Sequence, residues 1–147
     1  MGRILAIDYG QKRCGVAVTD PLQITPGGLG THPTHQLLAF VTDYVQRESV
    51  ERIIIGYPRQ MNNEESASMK YIRPFVGRLQ NALPSMAMEY QDERFTSTLA
   101  QRTIREADIG RRRRETDKGL VDEVSAVIIL QSYLEAKKGL GPIHLPG

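Results

Sequence analysis

The chain has no tryptophan, one cysteine and three histidines in 147 residues, and each scarcity removes a class of protein. A lone cysteine, Cys14, cannot close an internal disulfide, and its neighbours Val16 and Val18 suggest a strand position, so a reducing setting is the default. Zinc chemistry is disfavoured, because His32, His35 and His144 show no ligand spacing with a second Cys or a His pair. No Ser/His or Cys/His nucleophile motif stands out. No run approaches the roughly 20 apolar residues that cross a bilayer, and Met1 leads straight into an apolar strand without a charged leader. A soluble, cytoplasmic protein with no membrane partner is the expectation. Repeats and low-complexity tracts are also lacking, so the length fits one domain, residues 1–138, followed by a Gly- and Pro-bearing tail, residues 139–147, that should be loosely held.

The net charge is only +2, but it is unevenly placed. Arg111, Arg112, Arg113, Arg114 and Lys118 face only Glu115 and Asp117 in their segment, a local excess of three that leaves the rest of the chain at −1. Such a segment points toward phosphate, or else is a solvated loop.

Hydrophobic patterning gives the organisation. Apolar strands are expected over residues 3–9 and 15–19, where Asp20-Pro21 stops the second, and a weaker, glycine-rich strand over 28–32 suits a sheet edge. Leu37, Leu38, Val41, Tyr44 and Val45 share one face of a helix over 34–48 that Thr34 should cap. The run V-E-R-I-I-I over 50–55 reads as a buried, parallel strand. A second helix carries Ile72, Val76, Leu79 and Leu83, with Pro74 kinking it or marking its start. A fifth strand covers 86–91, a helix capped by Thr96 or Ser97 follows, and a long helix spans 118–138. Three strands followed by alternating helices and strands imply an α/β fold, a five-stranded mixed sheet with helices on both faces.

Three acids fall where chemistry is plausible. Asp8 ends the first strand on the same face as Ile4 and Ala6, just before the basic turn Gly10-Gln-Lys12-Arg13-Cys14-Gly15. Glu93 ends the fifth strand beside Asp92, and alternation alone does not say which of the two faces the site. Asp122 lies near the start of the last helix, on a stripe with Ser125, Ala126 and Ile129 that is apolar enough to be buried. A bare carboxylate there is costly unless a cation or donor meets it; the helix dipole or Lys118 would also account for it. Acids converging from three parts of the chain suit one or two Mg²⁺ or Mn²⁺ ions, which prefer oxygen ligands.

With these residues in view, the chain resembles the YqgF (RuvX) family of the RNase H-like superfamily. The resemblance rests on I-D-Y-G-Q-K-R-C-G-V-A, I-I-I-G-Y-P, D-E-R-F-T-S-T and D-K-G-L-V-D-E-V-S-A-V-I-I-L, and spans nearly the whole chain. It departs mildly at Tyr57, where leucine is more frequent, and at Ser125, where alanine is common. The resemblance implies an RNase H-like sheet and makes Asp8, Glu93 and Asp122 the metal-binding catalytic acids, choosing Glu93 over Asp92. It implies a nuclease for structured nucleic acid, either pre-16S rRNA at its 5′ end or four-way junction DNA, the latter favouring a homodimer over a monomer. Lys12, Arg13 and Arg94 would then hold phosphates near the cut, and Arg111, Arg112, Arg113, Arg114 and Lys118 would reach further along the backbone. The Tyr and Phe positions mostly fit core stripes, so recognition by backbone and shape is expected over base reading. A non-catalytic RNA-binding assembly factor is a further alternative. The D-x-G turn also resembles the phosphate loop of sugar kinases and actin-like ATPases, but those enclose a nucleotide between two lobes and this chain has room for one.

Overall fold

In a computed structural model of the protein, the backbone is described for residues 2–57, 67–92 and 118–144, and side chains for 2–57, 67–91 and 123–137. The first strand, β1 (Arg3–Asp8), is buried on both faces, since Ile4, Leu5, Ala6 and Ile7 are all inaccessible to solvent. Only a central strand covered by helices on each side meets that condition. It is followed by β2 (Arg13–Thr19), β3 (Pro26–Pro33), α1 (Thr34–Arg47), β4 (Val50–Tyr57), α2 (Met69–Ala82), β5 (Ala87–Asp92) and α3 (Lys118–His144).

The sheet order is β3-β2-β1-β4-β5. The first three strands form an antiparallel meander, and β4 and β5 join parallel to β1. The five-stranded mixed sheet expected from the sequence is therefore present, with the glycine-rich strand at one edge. Asp20 closes the β2–β3 connection by accepting the backbone N–H groups of Ile24 and Thr25, both at 2.8 Å.

Two cores follow from strand alternation. Leu5, Ile7, Val16, Ile53 and Ile55 face α1 and α2, meeting Leu37, Val41, Ile72, Phe75 and Leu79. Ile4, Ala6, Ala17 and Ile54 face α3, meeting Ala126, Ile129, Leu130 and Leu134. Each fully buried Leu or Ile contributes about 1.5–3 kcal/mol relative to exposure.

Several expectations are corrected. Thr34 does not cap α1: Pro33 precedes the helix, no side chain caps it, and Thr34 is its first residue, because the Thr34 hydroxyl bonds elsewhere. Pro74 does not start α2, which begins at Met69. The N–H that Pro74 lacks would have reached the carbonyl of Lys70, an exposed first-turn residue whose carbonyl water can satisfy. β2 begins at Arg13, so Arg13 belongs to the ladder and not to the turn, and Cys14 takes the strand position its valine neighbours suggest, the two standing opposite Pro33 and His32. The backbone of α3 stays helical to His144, beyond residue 138, since a glycine lowers helix propensity by only about 1 kcal/mol and does not forbid the helix. The helix expected after Thr96 lies outside the described residues.

At the base of the sheet a polar cluster ties α3 to the parallel strands. Arg52 of β4 pairs with Glu89 of β5 at 2.9 Å and donates to the Tyr133 hydroxyl at 3.1 Å. Burial raises the Glu89 carboxyl, but the Tyr133 hydroxyl and the Arg52 guanidinium outweigh it, and the net shift is downward. A carboxyl held below its unfolded value stabilises the fold above that value and loses its contribution as pH falls through the folded one. Because the pair is half-exposed, its worth is at most about 1 kcal/mol. Glu89→Gln is expected to lower the thermal midpoint at pH 7 by a few degrees at most, and the difference from wild type should shrink as pH falls below the usual 4.5. Calorimetric melts across that range test it; a constant offset would assign the effect to packing.

Candidate active site

The parallel register aligns the ends of three strands. Ile7 lies opposite Ile55, and Tyr57 opposite Asp92, so β1, β4 and β5 all deliver their last residues to one end of the sheet. Open α/β sheets gather ligands at that end. Asp8, half-buried, is the last residue of β1 and faces the α3 side with Ile4 and Ala6. Its antiparallel partner is Gly15, which puts no side chain beside the carboxylate.

Two contacts fix the direction of α3. Glu123 Oε2 accepts the Gly30 backbone N–H at 2.7 Å, and Gly30 lies between the β3 residues paired with Gly15 and Ala17, hence near the level of Ile7. Tyr133 meets Arg52, which pairs with Ile4 at the other end. Ten helical steps advance about 15 Å, which matches the ~10 Å of the three strand steps from Ile7 to Ile4 once the reach of the Glu and Tyr side chains is added. The helix thus runs antiparallel to β1, with its first turns at the Asp8 end. Asp122 and Lys118 belong to those turns, while their side chains lie outside the described residues. Glu93 follows the last residue of β5 directly. Glu93, Arg94, Arg111, Arg112, Arg113 and Arg114 are also outside the description, so the structure brings the Asp8 and Asp122 backbone positions to one end and leaves the remaining sites as expectations.

Glu123 escaped the sequence reading. A Cβ added at Gly28 would collide with its carboxylate and have to displace it, while Gly30, which donates to that carboxylate, has φ +91°, a backbone that favours glycine. The available signal was glycine inside a strand, which marks a close approach.

The turn after Asp8 is tightly held. A Cβ at Gly10 would strike the Arg13 carbonyl, which makes glycine obligatory there. The Thr34 hydroxyl donates to the Gly10 carbonyl at 2.6 Å, and the Thr34 N–H donates to the Lys12 carbonyl at 3.0 Å. The Gly10 N–H points to the buried Cys14 sulfur at 3.4 Å. Lys12 is exposed in this turn and Arg13 is half-buried at the start of β2. Beside them, Tyr9 packs on Phe75 with ring centroids 5.0 Å apart, and burial, then the neighbouring Cys14, raise its phenol pKa despite Arg78. It stays protonated at neutral pH.

The donor types favour a hard cation. Cys14 is engaged with Gly10 and Thr34, and His32 stacks on Phe40 at 3.9 Å with its Nε2 3.0 Å from the Leu29 carbonyl. Both are structural, which leaves carboxylate oxygens as the candidate ligands. Among the described residues no group of three His, Cys, Asp or Glu is placed to hold an ion.

Residues 2–136 match the RuvX family, described as Holliday junction resolvase. A Porphyromonas gingivalis protein is 68% identical over 135 residues, covering 92% of this chain and 97% of its own. One from Bacteroides fragilis is 62% identical over 138 residues, covering 94% and 99%. Both carry the description "Putative pre-16S rRNA nuclease". Among solved structures, T. thermophilus RuvC in complex with a Holliday junction substrate superposes with a TM-score of 0.55 at 14% identity, over 95% of this chain and 97% of that one. At that identity the likeness is one of fold, and it bears out the RNase H-like architecture.

Gly28→Ala should displace Glu123 and loosen the start of α3. We expect a loss of about 1–3 kcal/mol in urea unfolding, largely relieved by adding Glu123→Ala. Equal losses in the single and double variants would sever the link between the two residues.

Proposed function

This chain belongs to the RuvX family, and from that membership we propose that it is a Mg²⁺- or Mn²⁺-dependent endonuclease of structured RNA that matures the 5′ end of pre-16S rRNA in the cytoplasm. It is a nuclease by family and by relatives matched along nearly their whole length. The observation that carries the site is the strand-end geometry: Asp8 ends β1, α3 starts at the same end, and β5 stops one residue before Glu93.

Carboxylates drawn together repel one another and become harder to ionise, a conflict that a divalent cation relieves. In this reading Asp8, Glu93 and Asp122 hold the cation. When bound, one or two such ions activate water for in-line attack and neutralise charge on the leaving oxygen. Lys12, Arg13 and Arg94 orient the phosphates beside the cut. Arg111, Arg112, Arg113, Arg114 and Lys118 hold the flanking backbone, which makes affinity salt-dependent and largely indifferent to sequence. The clamped turn supports the role of Lys12, because a turn bound through two of its carbonyls has little conformational entropy left to lose on binding.

The family description and the RuvC fold favour one second reading, resolution of four-way junction DNA, which needs two symmetric cuts and therefore a homodimer. A single RNA cut needs only a monomer.

Purified protein with Mn²⁺ is expected to cut pre-16S rRNA near its 5′ end and to stop when chelator is added. Asp8→Asn should reduce cleavage on the order of 100-fold or more while leaving RNA binding nearly intact. Cleavage of junction DNA alone, by a dimer, would transfer the site to the second reading. An Asp8→Asn protein that supports ribosome maturation as well as wild type would leave only a non-catalytic assembly role.

A further inference from the structure

We infer that Ser125 is a positioning residue of the carboxylate site: its buried hydroxyl donates a hydrogen bond to the Asp122 carboxylate and holds that ligand in place for the cation. This rests on the nuclease reading above and supplies the support behind one of its ligands.

The first ground is an orphaned hydroxyl. Among the described residues the buried polar or charged side chains are Thr19 and Ser125, 0% and 1% exposed. Thr19 is satisfied, because its Oγ1 accepts the Ile4 backbone N–H at 2.9 Å. Ser125 Oγ has no hydrogen-bond partner among the described residues. The other buried atom in that condition, Arg52 Nε, belongs to a guanidinium already bound to Glu89 and Tyr133, so its group is not isolated. A hydroxyl inside a helix can turn back to the carbonyl four residues earlier, as Thr42 does on Leu38 at 2.9 Å. Ser125 leaves that acceptor, the Val121 carbonyl of α3, unused. A buried polar group without a partner is costly, and an alanine would pack the same seam without that cost. The hydroxyl therefore calls for an acceptor.

The second ground is direction. Side chains on a helix lean toward its N-terminus, and the first turns of α3 lie at the Asp8 end of the sheet. Ser125 leans toward that end. Two steps of about 100° separate it from Glu123, whose carboxylate reaches the β3 edge at Gly30. Ser125 thus leaves α3 on the flank away from that edge, over the inner strands.

The third ground is spacing. Asp122 precedes Ser125 by three residues, and residues three apart on a helix are neighbours, with about 5–6 Å between their Cβ atoms. A serine hydroxyl at that range can reach a carboxylate oxygen. A carboxylate that binds a metal is in turn held by a hydrogen bond, which fixes its orientation. Ser125 has the donor to make it.

The test titrates Mn²⁺ into the full chain without nucleic acid, following binding by calorimetry and by the Mn²⁺ electron paramagnetic resonance signal. Melting in chelator verifies that each variant is folded. Ser125→Ala should weaken Mn²⁺ affinity roughly 10- to 100-fold. Ile129→Val, which trims the same buried stripe and removes no polar atom, should lower the melting midpoint by a few degrees and leave Mn²⁺ affinity as in wild type. In an Asp122→Ala background, adding Ser125→Ala should change the residual affinity by less than about twofold, since the acceptor is already gone. Unchanged affinity in Ser125→Ala, an equal loss in Ile129→Val, or a full loss persisting in the Asp122→Ala background would overturn the inference. In each of these cases a wild type that binds Mn²⁺, and loses it with Asp8→Asn, leaves the nuclease reading standing. If wild type binds no Mn²⁺, that reading fails and the role of Ser125 fails with it.

Discussion

The close seating of α3 on the sheet is the contact on which the rest of the arrangement depends. Ala6 and Ala17 below and Ala126 above are small enough to bring helix and strands together, and Ile129 and Leu130 fill the flanks. Such a seam fixes separation but not register, because small residues permit sliding. Register comes from the two polar ties, Glu123 on the Gly30 N–H and Tyr133 on Arg52. They lie ten residues apart and at opposite ends of the sheet. A helix held at both ends can neither slide nor reverse, so the turns bearing Asp122 are delivered to the end where Asp8 emerges.

The other face contributes a different restraint. There α1 begins with Thr34, which holds the Gly10 and Lys12 carbonyls through its hydroxyl and its N–H. The first N–H groups of a helix have no partner within it, and here one of them is spent on the turn that follows Asp8. The C-terminal end of β1 is thus set from both sides: α3 brings its first turns to it and α1 fixes the turn with Lys12 beside it. Neither helix could do both, because side chains on successive β1 residues leave on opposite faces.

How much of this was legible depended on whether the signal was local. The strands over 3–9, 15–19 and 50–55 were readable because apolar runs stop at Gly or Pro, and their pairing follows from short connections. Asp8 was readable as an acid closing such a run. Thr34 was misread because a helix-start threonine caps by default, and only the folded turn shows that its hydroxyl has a better acceptor in Gly10. Glu123 was passed over because its partner is 93 residues distant. Gly28 weakened that strand's assignment, yet its bareness is what admits Glu123. The choice of Glu93 over Asp92 came from family resemblance, because alternation does not separate neighbouring acids, whereas Asp122 was singled out by its place on the apolar stripe of the last helix.

Charge placement, more than charge total, sets the path of a bound strand. A net charge of +2 exerts little long-range pull on a polyanion, and at physiological salt fields fade within about 8 Å. Affinity must then come from cations close enough to touch phosphate, and their positions decide where the strand runs. The turn with Lys12 sits directly after Asp8 in the chain and is clamped there by Thr34. On the proposed reading a phosphate approaching Asp8 would be held by Lys12, since an acid alone repels it and only a cation within that range offsets the repulsion.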